Sequence, residues 1–260
     1  MKIAVHGILI RDTVFLLDRQ FNNGCAYSAE ACYETVGGAG NVIRFLKRVM
    51  CQDDITFCGL VSENEFDFKY WLSGYCTKPT IFLATQSSQA TIIIDSFGEK
   101  TSVVNWGDDT LYKLTKPKAD WHHIAYLDKV PFITPSALSK LSGIVSVDLC
   151  DAWRDIEKYL PFIDYLFVSD HELSDDLVEY FGKKVRNTVL KHDFHGTSWS
   201  NGGPLKRVEC KPYRWEQNCL GAGDYYAAAF IAGTAKDIED RILSAHHTVI
   251  DNLGKKEVIQ

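Results

Sequence analysis

Short runs rich in β-branched and aromatic residues alternate with helical stretches along most of this chain, and no other feature restricts its fold so much. Lys2 to Ile10, Ile55 to Val61, His123 to Leu127, Gly143 to Leu149, Tyr165 to Ser169 and Thr188 to Lys191 read as strands. Most are nearly continuous apolar runs, the pattern of strands buried on both faces. Between them, Val42, Phe45, Leu46 and Val49 share one face of a helix whose other face carries Arg44, Lys47 and Arg48. A helix is also expected over 65–73, another over 224–233 and a last one over 237–253, where Ile238, Ile242, Ala245, Val249 and Leu253 keep helical spacing. This alternation predicts an α/β fold, a mostly parallel sheet covered on both faces.

The stretch from Pro79 to Val104 differs. Ile81-Phe82-Leu83, Thr91-Ile92-Ile93-Ile94 and Thr101-Ser102-Val103-Val104 are short β runs, and Ser96-Phe97-Gly98-Glu99 suits the hairpin turn between the last two. A small β subdomain is expected here, sharing a sheet with the region around Phe15.

Composition sets the remaining limits. With 260 residues, 46% hydrophobic and 24% charged, the chain can bury one sizeable core. A net charge of −6 argues against nucleic acid as the main partner. No run approaches the roughly 20 apolar residues that span a bilayer. The eight cysteines include no C-x-x-C pair, and the start of the chain lacks a secretory pattern, so a cytoplasmic protein with reduced thiols is expected.

Three segments carry candidate chemistry. Gly221-Ala222-Gly223-Asp224 precedes an apolar helical run. Bare backbone at a helix entrance can aim N–H groups at an anion, and Asp224 could take a proton beside it. The same tetrapeptide also suits a glycine turn with an Asp cap. Gly37-Gly38-Ala39-Gly40-Asn41 opens another helix and could hold a polyol against bare backbone, with Asn41 bonding hydroxyls. It equally suits a tight strand–helix connection, and it lacks the Lys-Ser/Thr pair of a Walker loop. Asp12 follows the first strand, where open parallel sheets bind ligands, and could hold vicinal hydroxyls or be a solvated loop group. His192-x-x-His195 has a spacing that could ligate a metal, but the adjacent pairs His122-His123 and His246-His247 add nothing to it, because neighbouring side chains diverge on strands and helices alike, and no His-ligated catalytic metal is expected.

The order Gly7-x-x-x-x-Asp12, Gly37-Gly38-x-Gly40-Asn41 and Gly221-Ala222-Gly223-Asp224 resembles the ribokinase-like, or PfkB, family of sugar and nucleoside kinases. Gly98-Glu99-Lys100-Thr101, Asp164-Tyr165-Leu166-Phe167-Val168 and Glu172 add weaker matches, so the resemblance spans nearly the whole chain. It implies a ribokinase-like three-layer α/β fold with a mostly parallel central sheet and a small β lid. One kinase domain would cover 1–260, with lid segments at about 13–35 and 80–105. The implied activity is ATP- and Mg²⁺-dependent phosphorylation of a hydroxyl on a small sugar or sugar derivative. Asp224 would be the base, with Gly221, Ala222 and Gly223 as the anion hole. Asp12, Gly37, Gly38 and Asn41 would hold the substrate. Lys191, Asp193, Gly196 and Asn218 would meet the nucleotide, and Glu172 would organise Mg²⁺. An uncovered lid edge would favour a homodimer.

Four departures from the family pattern stand out. Asn218-Cys219-Leu220 replaces the Asp-Thr that usually precedes Gly-Ala-Gly-Asp, and Ser169-Asp170-His171-Glu172 replaces Asn-x-x-Glu. Asp193-Phe194-His195-Gly196 loses the first Gly of a G-x-x-G pair, and Ser62-Glu63-Asn64 stands for Gly-Asp-Asp. These bear on metal geometry and nucleotide affinity, and leave open a weakened kinase or a sugar- or nucleotide-binding regulatory protein. A nucleoside or vitamin kinase is the other alternative. Val147-Asp148-Leu149-Cys150-Asp151-Ala152-Trp153 resembles the fructoselysine 6-kinase branch, which implies a fructosamine-type acceptor.

Overall fold

The computed structural model describes residues 1–51, 54–62, 68–76, 79–84, 86, 88–107, 115–127, 133–149, 155–170, 174–192, 196–210 and 220–252. In chain order its elements begin with β1 (Ile3–Leu17), β2 (Ala29–Gly38), α1 (Ala39–Val49), β3 (Ile55–Ser62) and α2 (Phe68–Ser73). Next come β4 (Thr80–Ala84), β5 (Gln89–Ile94), β6 (Lys100–Asn105), β7 (Trp121–Ile124) and α3 (Pro135–Leu138). The third group is β8 (Ile144–Asp148), β9 (Tyr165–Ser169), α4 (Asp175–Gly182) and β10 (Asn187–Lys191). The chain closes with β11 (Thr197–Ser200), β12 (Lys206–Val208), α5 (Ala222–Ala232) and α6 (Ile238–Asn252).

The strand order is β12-β11-β10-β9-β8-β7-β1-β3-β4. Pairing is parallel from β10 through β4 and antiparallel only at β10–β11 and β11–β12. β1 is longer than the sequence reading, which ended the strand at Ile10. Its first part pairs with β3 and β7, whereas Arg11 to Leu16 pairs with β5, and Leu9 to Leu17 with β2. One strand therefore serves both the central sheet and a second β layer made with β2, β5 and β6.

Of the stretch 80–105 expected as a second lid segment, Thr80–Ala84 pairs in parallel with β3 and belongs to the central sheet, whereas β5 and β6 join the second layer. β2 was not read as a strand because Glu30, Cys32 and Glu34 break any apolar run. Its ladder to β1 supplies what its composition lacks. β7 runs earlier than expected, over Trp121–Ile124, and the chain leaves the sheet at Ala125.

Each face of the central sheet buries its own apolar cluster. On one side Ile3, Val5, Phe57 and Trp121 meet Val42, Phe45, Phe230, Ile242 and Val249 of α1, α5 and α6. α5 is apolar all round, since the sheet covers one side while α1 and α6 cover others. Fully burying a side chain such as Phe230 contributes about 2–3 kcal/mol. On the other side Ile8, Val147, Leu166 and Leu190 meet Leu138, Val178 and Phe181, and Val14, Ile92 and Ile94 extend that cluster into the second β layer.

α1 departs from the expected amphipathic pattern at two positions. Val49 is exposed, and Arg44, placed on the solvent face by periodicity, is buried. The six described cysteines are free. Among the described residues no helix is long and apolar enough to cross a membrane.

Candidate active site

The parallel strands end on one side of the sheet, and there the candidate residues collect. Gly221 is the N-cap of α5, and its φ of 79° is the left-handed conformation that glycine adopts without penalty. A Cβ on Gly221 would lie 3.0 Å from the Asn41 amide nitrogen, so the turn also needs glycine for space. The first helical hydrogen bond runs from Tyr225 N–H to Gly221 C=O. The N–H groups ahead of it have no intrahelical acceptor and form a positive helix end.

Asp224 sits in this first turn with its carboxylate buried. Asn41 Nδ2 donates to its Oδ2 at 2.8 Å. The Tyr126 hydroxyl donates at 3.3 Å to Oδ1. Tyr126 follows β7 with φ 60°, a strained conformation for a bulky residue that aims the ring at Asp224. Burial pushes the Asp224 carboxyl up to about 6, helped by the Asp148 charge and opposed by the Asn41 hydrogen bond and by Lys191 and Lys100.

Asp148 ends β8 and Lys191 ends β10, two strands separated by β9. Lys191 Nζ lies 3.2 Å from both Asp148 oxygens. A Cβ on Gly223 would lie 3.3 Å from the same ammonium. Lys191 therefore stands against the bare first turn of α5, adding a full positive charge to the helix end. That combination suits an anion such as a phosphoryl group.

The expected substrate residues reach the same place from the other helix entrance. Asp12 lies opposite Thr35 in the β1–β2 ladder. Its carboxylate rests on Gly37, and any side chain at Gly37 would collide with it. Gly38 precedes α1 with φ 61°, and a Cβ there would meet the Ile8 carbonyl at 2.5 Å. Asn41 follows in the first turn of α1 and reaches Asp224. Asp12, Gly37, Gly38, Asn41, Gly221, Ala222, Gly223, Asp224 and Lys191 thus form one neighbourhood.

Gly196 stands in the β10–β11 connection with φ 110° and accepts from His192 N–H at 3.0 Å. Asp193, Asn218 and Glu172 lie outside the described residues. Among the described residues no cluster of three His, Cys, Asp or Glu side chains could hold a metal ion. Sequence reasoning missed Tyr126, for which a Tyr after a strand gives no signal. It also missed Arg44, although the Asn41–Arg44 spacing of one helical turn was a usable sign.

No family model matches the chain, and no curated protein matches it. Solved structures do. Ribokinase from Thermotoga maritima superposes with a TM-score of 0.76 at 19% identity, covering 96% of this chain and 91% of that one. The nucleoside kinase of Methanocaldococcus jannaschii gives 0.75 at 15% identity, over 96% and 90%. Arabidopsis thaliana ribokinase, solved with ribose and ATP, gives 0.73 at 17% identity, over 95% and 91%. The chain has the ribokinase-like fold. In this ribokinase-like chain the long β1 carries Asp12 into the second β layer, and the two glycine-rich helix entrances close on each other through Asn41 and Asp224.

Proposed function

We propose that the protein is a kinase that moves the γ-phosphoryl group of ATP to a hydroxyl of a small sugar or sugar derivative. One observation carries this reading: a buried carboxylate, Asp224, within the first turn of a helix whose bare entrance also faces Lys191. The acceptor hydroxyl would give its proton to Asp224 while its oxygen bonds to the γ-phosphorus. The bond from that phosphorus to the bridging oxygen breaks, and ADP leaves with the electron pair. Phosphoryl transfer demands mainly positioning and charge stabilisation. The α5 N–H groups and Lys191 supply the second, and Asp12, Gly37, Gly38 and Asn41 supply the first.

Asp224, held up to about 6, is ionised at neutral pH yet basic enough to accept a proton in flight. The second β layer would cover the acceptor and exclude water that would otherwise hydrolyse ATP. Mg²⁺ would arrive with the nucleotide and neutralise phosphate charge. Glu172, which the resemblance implies for this role, would be the carboxylate that helps hold the ion, while Asp148 is paired with Lys191.

Within the sugars, the resemblance of Val147-Asp148-Leu149-Cys150-Asp151-Ala152-Trp153 to the fructoselysine 6-kinase branch supports a fructosamine-type acceptor. The likeness to the Methanocaldococcus nucleoside kinase supports a nucleoside acceptor as the second reading. ADP release measured with ATP·Mg²⁺ across sugars, fructosamines and nucleosides separates them. Turnover dependent on a sugar or fructosamine is expected. Stimulation by nucleosides alone would overturn the sugar assignment. Sugar binding in a thermal-shift assay, without ADP release and unchanged in Asp224→Asn, would instead identify a binding protein.

A further inference from the structure

Arg44 is 2% exposed, the most buried Asp, Glu, Lys or Arg among the described residues, and every hydrogen-bond acceptor it reaches is neutral. Nη1 donates to Asn41 Oδ1 at 3.2 Å. Nη2 donates to Thr35 Oγ1 at 2.8 Å and to the Val36 carbonyl at 3.0 Å. The guanidinium lies 5.7 Å from the Trp71 ring centroid, and its Nε has no partner. A buried cation held this way is costly to keep, and replacement by an apolar side chain is often neutral or stabilising in such settings. The geometry shows what the charge does instead.

An arginine side chain has only donors, so Asn41 must present its oxygen to Arg44. That leaves the Asn41 NH₂ group facing Asp224, where it donates at 2.8 Å. Without Arg44 nothing on this path fixes the amide. A flip would set oxygen against oxygen, which a carboxylate resists and a protonated acid welcomes. The other arm of Arg44 grips Thr35, whose ladder partner across β1–β2 is Asp12. One buried group thus links the Asn41 amide that meets Asp224 to the β2 residue opposite the expected sugar-holding carboxylate.

We infer that Arg44 is a positioning residue for the base, locking the Asn41 amide so that it holds Asp224 ready for the acceptor hydroxyl. The role in turnover rests on the kinase reading; the amide lock itself does not. The other groups bearing on Asp224 are Asp148 from β8, Lys191 from β10, Lys100 from β6 and the Tyr126 hydroxyl after β7. All remain in Arg44 variants, so a change on substitution reports the loss of Arg44 itself, and the part of that change that disappears in an Asn41→Ala background reports the lock.

The test is a direct titration of Asp224 by carbon NMR of aspartate-carboxyl-labelled protein, with Asp224→Asn identifying the resonance. Arg44→Met and Arg44→Gln should raise the titration midpoint by about one pH unit, the shift expected for one lost hydrogen bond to a charged group. Arg44→Lys should bring it back towards wild type, because an ammonium also only donates. Glutamine can accept as well as donate and cannot enforce the orientation, so Arg44→Gln serves if Arg44→Met does not fold. In turnover, Arg44→Gln should lower kcat with KM for ATP little changed, and should move the acid limb upward with the NMR midpoint. An unmoved midpoint in folded Arg44→Gln, or no recovery in Arg44→Lys, overturns the inference. If wild type phosphorylates no acceptor, the kinase reading fails while the titration still decides the role of Arg44.

Discussion

The Asn41 amide donates to the Asp224 carboxylate at 2.8 Å across a sequence separation of 183 residues. This single bond ties the entrance of α1 to the entrance of α5. It also brings together two glycine turns, each unremarkable alone. Phe45 and Tyr225, with ring centroids 5.0 Å apart, pack the two helices together directly behind it.

Asp224→Asn should lower kcat by about 10²–10⁴-fold, the usual range for a general base, while ATP still binds. The wild-type acid limb should lie near 6, because only the carboxylate accepts a proton. The native state holds this proton more tightly than the unfolded chain, so the ionised group costs stability at neutral pH and that cost fades as pH falls through 6. Asp224→Asn should therefore raise Tm at pH 7. Retained turnover in the variant would remove Asp224 from the mechanism.

Lys191→Met leaves the Asp148 carboxylate buried without its ammonium. A loss of about 3 kcal/mol in unfolding free energy is expected from the broken pair. The KM for ATP should rise well beyond that of Asp148→Asn, which keeps the cation at the helix entrance. Equal nucleotide KM in wild type and a folded Lys191→Met would show that Lys191 does not meet the phosphates.

Gly221→Ala places a side chain at φ 79° and against Asn41. Destabilisation by about 1–2 kcal/mol is expected from the backbone alone. Displacement of Asn41 should lower kcat further, whereas Gly98→Ala, also at positive φ but with open space around it, should carry only the backbone cost. Urea unfolding and initial rates on both variants check this.

Acid should unfold the protein early. Burial holds His6 down to about 3 and His123 and His246 down to about 4. Their ordinary value is 6.5, so the unfolded chain takes up protons first, and stability falls as pH drops below 6.5 towards 4. Tm at pH 5 should lie several degrees below Tm at pH 7, and His246→Gln should reduce that difference. A Tm flat over this range would mean that these histidines are accessible to protons in the native state.

Phe97 and Val103, in the turn and outer strand of the β5–β6 hairpin, are largely exposed. Among the described residues β6 pairs only with β5, and an edge strand left open invites a second copy. Light scattering should give a dimer that Val103→Glu dissociates, and a wild-type monomer would refute this.

How much of this was legible beforehand depends on the range over which each signal acts. Tyr165–Ser169 was readable to the residue, since a parallel strand covered on both faces reads as a near-continuous apolar run. β2 was not, because its polar residues become a strand only once β1 lies beside them. The length of β1 was missed for a related reason: Arg11 and Asp12 look like a strand end until the second layer pairs with them. Within the site, Asp224 and Asn41 stood in glycine motifs whose order along the chain made them legible. Tyr126 and Arg44 had no such frame, and helical spacing placed Arg44 on the wrong face.

By itself the sequence determined the alternation of elements and the two glycine-rich helix entrances that carry Asn41 and Asp224, because local sterics and 2.0- or 3.6-residue periods are written into neighbouring residues. Only the tertiary structure decided what surrounds Asp224. Burial, the Asp148 and Lys191 charges, the Tyr126 hydroxyl and the Arg44–Asn41 lock come from segments distant along the chain. Electrostatics acts through space, so the protonation and aim of Asp224 exist only once those segments meet.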